Sequence, residues 1–321
     1  MTAPQRRTAM TSFAFVFPGQ GSQAVGMLDA WGDHPAVKQT LVEASRALGQ
    51  DMAQLIHAGP KEQLDLTTNT QPVMLTAGIA CYRAWMAETQ PAPGVVAGHS
   101  LGEYTALVAA GALSLADALP LVRFRAQAMQ DAVPVGVGAM AAILGMSAQA
   151  VRDGCAEAAA ATGEVVEAVN FNDPKQTVIA GTRAGVEKAC ELLKAKGAKR
   201  ALPLPVSAPF HSSLMKPAAE RLKGGLAEVH IAAPVIPVIN NVDVRVETGP
   251  AAIREALYRQ AFGPVRWVET VQAIRARGVT HVIECGPGKV LAGMVRRIDA
   301  EAVSATLHDP ASLADVKALL A

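Results

Sequence analysis

The 321-residue sequence contains no C-x-x-C unit: its four cysteines, Cys81, Cys155, Cys190 and Cys285, are widely spaced. That spacing excludes a disulfide framework and a zinc site, and reads as reduced thiols in a cytoplasmic protein. No apolar run approaches the ~20 residues of a membrane span. No long apolar run precedes the first strand either, so a secretory signal is not expected. Residues 1–11 read as a loose tail carrying Arg6 and Arg7, with Met10 as an alternative start. Charge is scarce: 18% of residues are charged and the formal net charge is +1, with a pI near 7.7. There is thus no global attraction to nucleic acid or to an anionic membrane. The phosphate loop G-x-x-x-x-G-K-[ST] is missing, as are internal repeats and low-complexity tracts. Hydrophobic residues, in contrast, make up 50% of the chain, enough for a sizeable core in one large domain or a domain with an insertion.

The chain is organised around Gly94 to Tyr104, GVVAGHSLGEY. Val95 and Val96 read as a short buried strand, Gly98-His99-Ser100-Leu101-Gly102 fits G-x-S-x-G, and an Ala/Leu/Val run follows at once. Strand, tight glycine-flanked turn and helix is the context of a nucleophile elbow. Such a turn forces Ser100 into a strained backbone and holds its Oγ clear, while Gly98 and Gly102 lack the Cβ atoms that would collide there. The helix after it aims unpaired N–H groups at an oxyanion forming on Ser100. The plainer reading is a glycine-rich turn with a serine N-cap.

Earlier in the chain, Phe13 to Phe17 reads as a buried strand stopped by the loop Pro18 to Gln23, where an α/β fold presents backbone to ligands. Helices are expected at about 35–48, 51–57 and 72–89, the last opening at Asn69-Thr70-Gln71-Pro72 with proline in its first turn. Ser114 and Asp117 resemble a capping box, opening a helix to about Val133 that Pro120 should kink. Residues 134–206 read as strand, helix, strand, strand, helix, strand: 139–144, 147–161, 165–169, 176–180, 184–196 and 200–206. That βαββαβ order is the ferredoxin-like split unit, here a small inserted subdomain. Beyond it come helices near 213–228, 250–261 and 264–277, a strand at 235–240, and the strand His281 to Cys285. The last runs into Gly286-Pro287-Gly288 and a closing helix. Gly286, Gly288 and Lys289 read as structural turn residues.

A serine nucleophile needs a base within hydrogen-bond reach. Of seven histidines, His34 and His57 lie in surface-looking helical regions, His230 and His281 flank strands, and His308 sits in a polar tail. His99, beside Ser100, must point away from the elbow and reads as a wall of the site. His211 follows a proline-punctuated loop leaving the subdomain's last strand, a place where catalytic groups gather. A structural loop histidine is the alternative. Arg125 is the second clue. Leu115, Ala118, Val122 and Met129 form an apolar stripe on the helix from 115, and Arg125 falls on it, opposite Arg123, Gln127 and Gln130. A buried guanidinium needs an anion, and its fork matches a carboxylate in two parallel hydrogen bonds. Either it pairs with a core Asp or Glu, or it reads a carboxylate at the end of the substrate's acyl group.

FPGQGSQ at 17–23, GHSLGEY at 98–104, the Arg125 segment, VNFN at 169–172, LPLPVSAPFHSSLMKPAA at 202–219, NNVDV at 240–244 and GPGKVL at 286–291 together resemble the malonyl-CoA:acyl carrier protein transacylases of fatty-acid synthesis. The similarity runs from about Phe13 almost to the C-terminus. It implies an α/β-hydrolase-like core, residues 1–133 and 207–321, carrying a ferredoxin-like subdomain at 134–206. It implies Ser100 as nucleophile, His211 as base, the backbone N–H groups of Gln20 and Leu101 as oxyanion hole, and Arg125 as clamp for the malonyl carboxylate. In place of a triad Asp, the backbone carbonyl of Gln260 would orient His211. His99, Met129, Asn170 and Asn172 match positions lining the pocket, although the two asparagines read equally well as polar caps ending a strand. The partners implied are malonyl-CoA and holo acyl carrier protein, without nucleic acid or membrane, and neither cofactor nor metal is expected.

Phe210, immediately before His211, would fill the space that a branching α-methyl needs, giving malonyl over methylmalonyl selectivity. Lys194, Lys196, Lys199 and Arg200 cluster where the subdomain's second helix ends. They read either as a docking patch for the acidic carrier protein or as ordinary cations at a helix C-terminus. A serine esterase would share the elbow but usually carries an Asp or Glu between Ser and a late His, and a non-catalytic binding module would not need Ser100 and His211 together.

Overall fold

The computed structural model describes residues 12–89, 91–134, 136–206 and 208–321, so the expected tail and the alternative start at Met10 lie outside them. The chain opens with β1 (Phe13–Phe17), α1 (Pro35–Leu48), α2 (Met52–Ala58), α3 (Lys61–Leu64) and α4 (Thr67–Glu88). Then come β2 (Val95–Gly98), α5 (Gly102–Ala109) and α6 (Leu115–Asp131). The middle runs β3 (Gly138–Leu144), α7 (Ala148–Thr162), β4 (Val166–Asp173), β5 (Gln176–Thr182), α8 (Arg183–Ala195) and β6 (Arg200–Pro203). The return passes α9 (Lys216–Glu228), β7 (Val238–Ile239), α10 (Pro250–Gln260), α11 (Trp267–Ala276), β8 (His281–Cys285), α12 (Val290–Ile298), β9 (Val303–Leu307) and α13 (Pro310–Leu320).

Two sheets result. The first is parallel in the order β7-β2-β1-β8-β9. Its central strand is buried at every position because both faces are covered. Phe13, Phe15 and Phe17 pack with α4, α6 and α9 on one side, while Ala14 and Val16 meet Trp267, Val271, Leu291 and Val295 of α11 and α12 on the other. The second sheet is antiparallel in the order β4-β5-β3-β6. Ala141 and Ile143 face a core built with α7 and α8, and Met140, Val178 and Ala180 face the other way, toward Leu204, Val206 and Phe210.

The two sheets meet along β4. Val265, just past α10, donates to the Val169 carbonyl (2.8 Å) and accepts from the Phe171 N–H (2.9 Å). Glu167 accepts from the Ser213 N–H at 2.7 Å, and Asp173 accepts from Arg297 Nε at 2.7 Å.

Several boundaries differ from the expected ones. α4 starts at Thr67, not near 72, so Pro72 lies in its second turn; the helix is buried from Thr70 to Cys81, and packing outweighs one lost hydrogen bond. The α6 helix runs continuously through Pro120, and the Ser114 hydroxyl caps it by accepting from the Asp117 N–H at 3.0 Å. β4 continues through Asp173, so Asn170 and Asn172 lie inside a strand and are not its caps. β6 ends at Pro203 and β7 spans two residues after Pro237, since proline removes the ladder donor. The closing helix is followed by a half-exposed edge strand β9 and by α13, so His308 joins two elements and does not sit in a tail. Among the described residues no helix is long and apolar enough to cross a membrane, and all four cysteines are free thiols.

Candidate active site

The turn from β2 into α5 carries Ser100 at φ 53°, a left-handed backbone that a non-glycine residue adopts only under constraint. The constraint is visible at the flanking glycines. A Cβ on Gly98 would lie 1.9 Å from the Gly102 carbonyl carbon, and one on Gly102 would lie 2.0 Å from the Phe17 carbonyl oxygen. Elbow and β1 are therefore in backbone contact. Asn241, from the segment after β7, locks the turn: its Oδ1 accepts from the Ser100 N–H at 2.7 Å and its Nδ2 donates to the Gly98 carbonyl at 2.7 Å.

His211, also in the left-handed region at φ 66°, brings Nε2 to 2.6 Å from Ser100 Oγ. Its Nδ1 faces two backbone carbonyls, Gln260 at 3.0 Å and Gly263 at 3.2 Å. A nitrogen facing two acceptors carries the proton, which leaves Nε2 free to accept from Ser100. Burial and the adjacent Arg125 charge hold His211 down to about 3, so it is neutral at pH 7.

Arg125 is 2% exposed, as its place on the apolar stripe requires, and among the described residues it forms no ion pair. Its Nη1 donates to Gln71 Oε1 at 2.8 Å, and its Nη2 to Gln260 Oε1 at 3.1 Å and to Ser100 Oγ at 3.3 Å. Two neutral amides thus aim a full positive charge at the serine. The alternative of a structural ion pair with a core carboxylate is not what the structure contains.

These groups line a cleft of about 210 Å3 between the two sheets, with Gln20, Leu101, Met129, Asn170 and Phe210 around it. His99 turns away from Ser100, stacks edge-on against Trp267 (centroids 5.5 Å apart) and meets Asn172 Oδ1 through Nε2 at 2.8 Å. Burial lowers its pKa below the ordinary imidazole value. Asn170 and Asn172 share one face of β4, where register shifts at 168–170 and 171–173 re-aim the strand. The Pro18–Gln20 loop presses on the elbow: a Cβ on Gly19 would lie 2.6 Å from the His99 carbonyl oxygen and 3.9 Å from the Leu101 N. Among the described residues neither the Gln20 nor the Leu101 N–H donates to a protein acceptor.

Gln71 and Asn241 were not legible from the sequence as members of the site, nor was the side chain of Gln260, whose carbonyl alone was expected there. Gln71 sat in what read as a helix start, and Asn241 in a loop between elements. The described residues contain no group of three or more His, Cys, Asp or Glu arranged to hold a metal.

A parallel α/β sheet presenting a strained serine at a strand-to-helix turn, against a neutral buried histidine, defines the class of serine acyl-transfer and hydrolysis proteins. Comparison with known proteins narrows this. The acyl transferase domain model matches residues 14–309. The malonyl CoA-acyl carrier protein transacylase of Escherichia coli K12 is 53% identical over 306 residues, covering 95% of this chain and 98% of that protein. An acyl-carrier-protein S-malonyltransferase from Burkholderia pseudomallei superposes with a TM-score of 0.94 at 67% identity, covering 95% of this chain and 99% of that one. A malonyl-transacylase solved in complex with its type II PKS acyl-carrier protein gives a TM-score of 0.93 at 48% identity, covering 95% and 98%. The chain belongs to the malonyl CoA-acyl carrier protein transacylase family of acyl transferase domains.

Proposed function

We propose that this chain transfers a malonyl group from malonyl-CoA to the phosphopantetheine thiol of holo acyl carrier protein through a malonyl-serine intermediate, in a ping-pong cycle. The observation that carries this reading is Arg125: a buried guanidinium that has no carboxylate of its own among the described residues, 3.3 Å from Ser100 Oγ. A general esterase has no use for that charge; a thioester whose acyl group ends in a carboxylate has one. The transacylase names of the relatives and the carrier-protein complex of one neighbour support donor and acceptor.

In this mechanism Ser100 Oγ attacks the thioester carbonyl carbon while its proton passes to His211 Nε2. The oxyanion is held by the N–H groups of Gln20 and Leu101, whose lack of protein acceptors among the described residues leaves them available. As the C–S bond breaks, His211 returns the proton to the departing coenzyme A sulfur. The carrier thiol then gives its proton to His211, attacks the malonyl-serine, and the serine is released with the proton back on Oγ. The Gln260 and Gly263 carbonyls stabilise the transient imidazolium by orientation, without a buried acid. His99, Met129, Asn170, Asn172 and Phe210 form the acyl pocket, with Phe210 against the α-carbon. No cofactor or metal enters any step.

The same reading takes the parallel sheet and its helices, residues 1–133 and 207–321, as an α/β-hydrolase-like core, and residues 134–206 as a ferredoxin-like subdomain. The latter is supported by the βαββαβ order and by β3 lying between β5 and β6. It also puts the protein in the cytoplasm, where four free thiols persist. The cluster Lys194, Lys196, Lys199 and Arg200 would serve as a docking surface for the acidic carrier, although Lys196 is paired with Glu157 and cations at a helix C-terminus are favourable without any partner.

Intact-mass analysis after brief mixing with malonyl-CoA tests the proposal. Wild type should gain a malonyl adduct that holo acyl carrier protein discharges; Ser100→Ala should gain none. An adduct formed equally from acetyl-CoA and unaffected by Arg125→Ala would make the protein a general esterase instead.

A further inference from the structure

Below the site lies a carboxylate that the mechanism does not use. Glu103, in the first turn of α5, is 2% exposed and among the described residues forms no ion pair. An uncompensated buried carboxylate is expensive, and burial pushes this one up to about 7. An apolar side chain would fill the position at lower cost, so the acceptor must serve something. Its Oε2 accepts from the Asn241 N–H at 2.8 Å and from Gln260 Nε2 at 3.0 Å. Asn241 is the residue whose side chain locks the elbow.

Gln260 matters more. Its Nε2 also donates to the Ser100 carbonyl at 3.0 Å, its Oε1 accepts from Arg125 Nη2, and its backbone carbonyl accepts from His211 Nδ1. A primary amide can be turned end for end, and only one orientation suits Arg125, which is a donor alone. Glu103 and the Ser100 carbonyl, both acceptors, require the Nε2 end to face them and so require the Oε1 end to face the guanidinium; of the two, Glu103 is the one that a side-chain substitution can remove. We infer that Glu103 is a positioning residue: through the Gln260 amide it fixes Arg125 in its carboxylate-reading pose, and through Asn241 and Gln260 it ties that pose to Ser100 and His211.

The inference rests on the proposed malonyl transfer and predicts a split that loose packing would not produce. Single-turnover acylation is followed by intact mass with malonyl-CoA and with acetyl-CoA, which has no carboxylate for Arg125. In Glu103→Met, which keeps the volume but loses the acceptor, the malonyl-to-acetyl rate ratio should fall at least tenfold. In Glu103→Gln, whose amide oxygen can accept both bonds, it should stay within about threefold of wild type. Gln260→Met should lower the ratio likewise, and Glu103→Met added to it should lower it no further, since the effect passes through Gln260. Gln260→Met also decides the matter if Glu103→Met does not fold. An unchanged ratio in Gln260→Met, a loss of both rates in equal proportion in Glu103→Met, or full additivity in the double variant would overturn the inference. Absence of any malonyl adduct on wild type would instead overturn the proposed function and this inference with it.

Discussion

In the proposed mechanism the charge on Arg125 acts on the base as well as on the substrate, and the two effects separate in Arg125→Met. Arg125 Nη2 and His211 Nε2 both contact Ser100 Oγ, at 3.3 and 2.6 Å, so they lie within about 6 Å of each other. A unit charge at ~6 Å, in an effective dielectric of about 20, contributes roughly 2.8 kcal/mol, or about two pKa units. A cation disfavours the imidazolium, so its removal raises the His211 pKa from about 3 to about 5. As the proposed base, His211 would accept the serine proton only when neutral, so activity should be lost as pH falls through that pKa. The assay is burst acylation by a neutral chromogenic acetate ester, which has no carboxylate for Arg125 to bind, between pH 4 and 6. Wild type should hold its rate across this window. The Met variant should lose half of its rate near pH 5, while retaining at pH 6 the reactivity that it loses toward malonyl-CoA. Glu103, raised to about 7 by burial, titrates above the window in both proteins. An acid limb displaced by less than about half a unit would refute the electrostatic coupling and leave burial alone as the cause of the neutral base.

Phe210→Ala opens the cleft wall beside His211 and should raise the methylmalonyl-to-malonyl turnover ratio by roughly 10-fold or more, the range that one methyl commands; competition between the two thioesters read by mass spectrometry checks it. Gly102→Ala drives a Cβ to 2.0 Å from the Phe17 carbonyl oxygen and should destabilise the fold by about 3 kcal/mol or more. A thermal midpoint close to that of wild type would contradict the backbone contact between elbow and β1. Glu284, wholly buried, accepts from the Ala292 N–H at 2.8 Å, and burial raises it to about 7 from 4.5. The folded state therefore holds its proton more tightly than the unfolded chain, and stability falls as pH rises from 4.5 through 7. Glu284→Gln should add about 1–3 kcal/mol at pH 8 and almost nothing at pH 4, measured by urea unfolding at the two pH values.

What was legible in the sequence is what local chemistry dictates. Gly98 and Gly102 bracket a serine because any Cβ there would meet backbone at 1.9–2.0 Å, and that requirement is written in a five-residue window. Arg125 betrayed itself through the helical period, an ionic residue on a face of Leu115, Ala118, Val122 and Met129. His211 was singled out by the loop that carries it, and Phe13 to Phe17 by an unbroken apolar run. The misread elements failed for equally physical reasons. Pro72 marks a helix start only where burial does not carry the helix past it, and β9 was missed although Val-Ser-Ala-Thr-Leu alternates apolar and polar residues, because five mostly small side chains on a half-exposed edge make that period faint. The network under the site was beyond reach for a deeper reason. Gln71, Glu103, Asn241 and Gln260 stand 19 to 189 residues apart, and each alone is an unremarked polar side chain. Only the meeting of α4, α5, α10 and the loop after β7 turns them into a frame around one guanidinium. A motif announces the atoms that react; the atoms that aim them are distributed over the fold, and become readable only once the fold has brought them together.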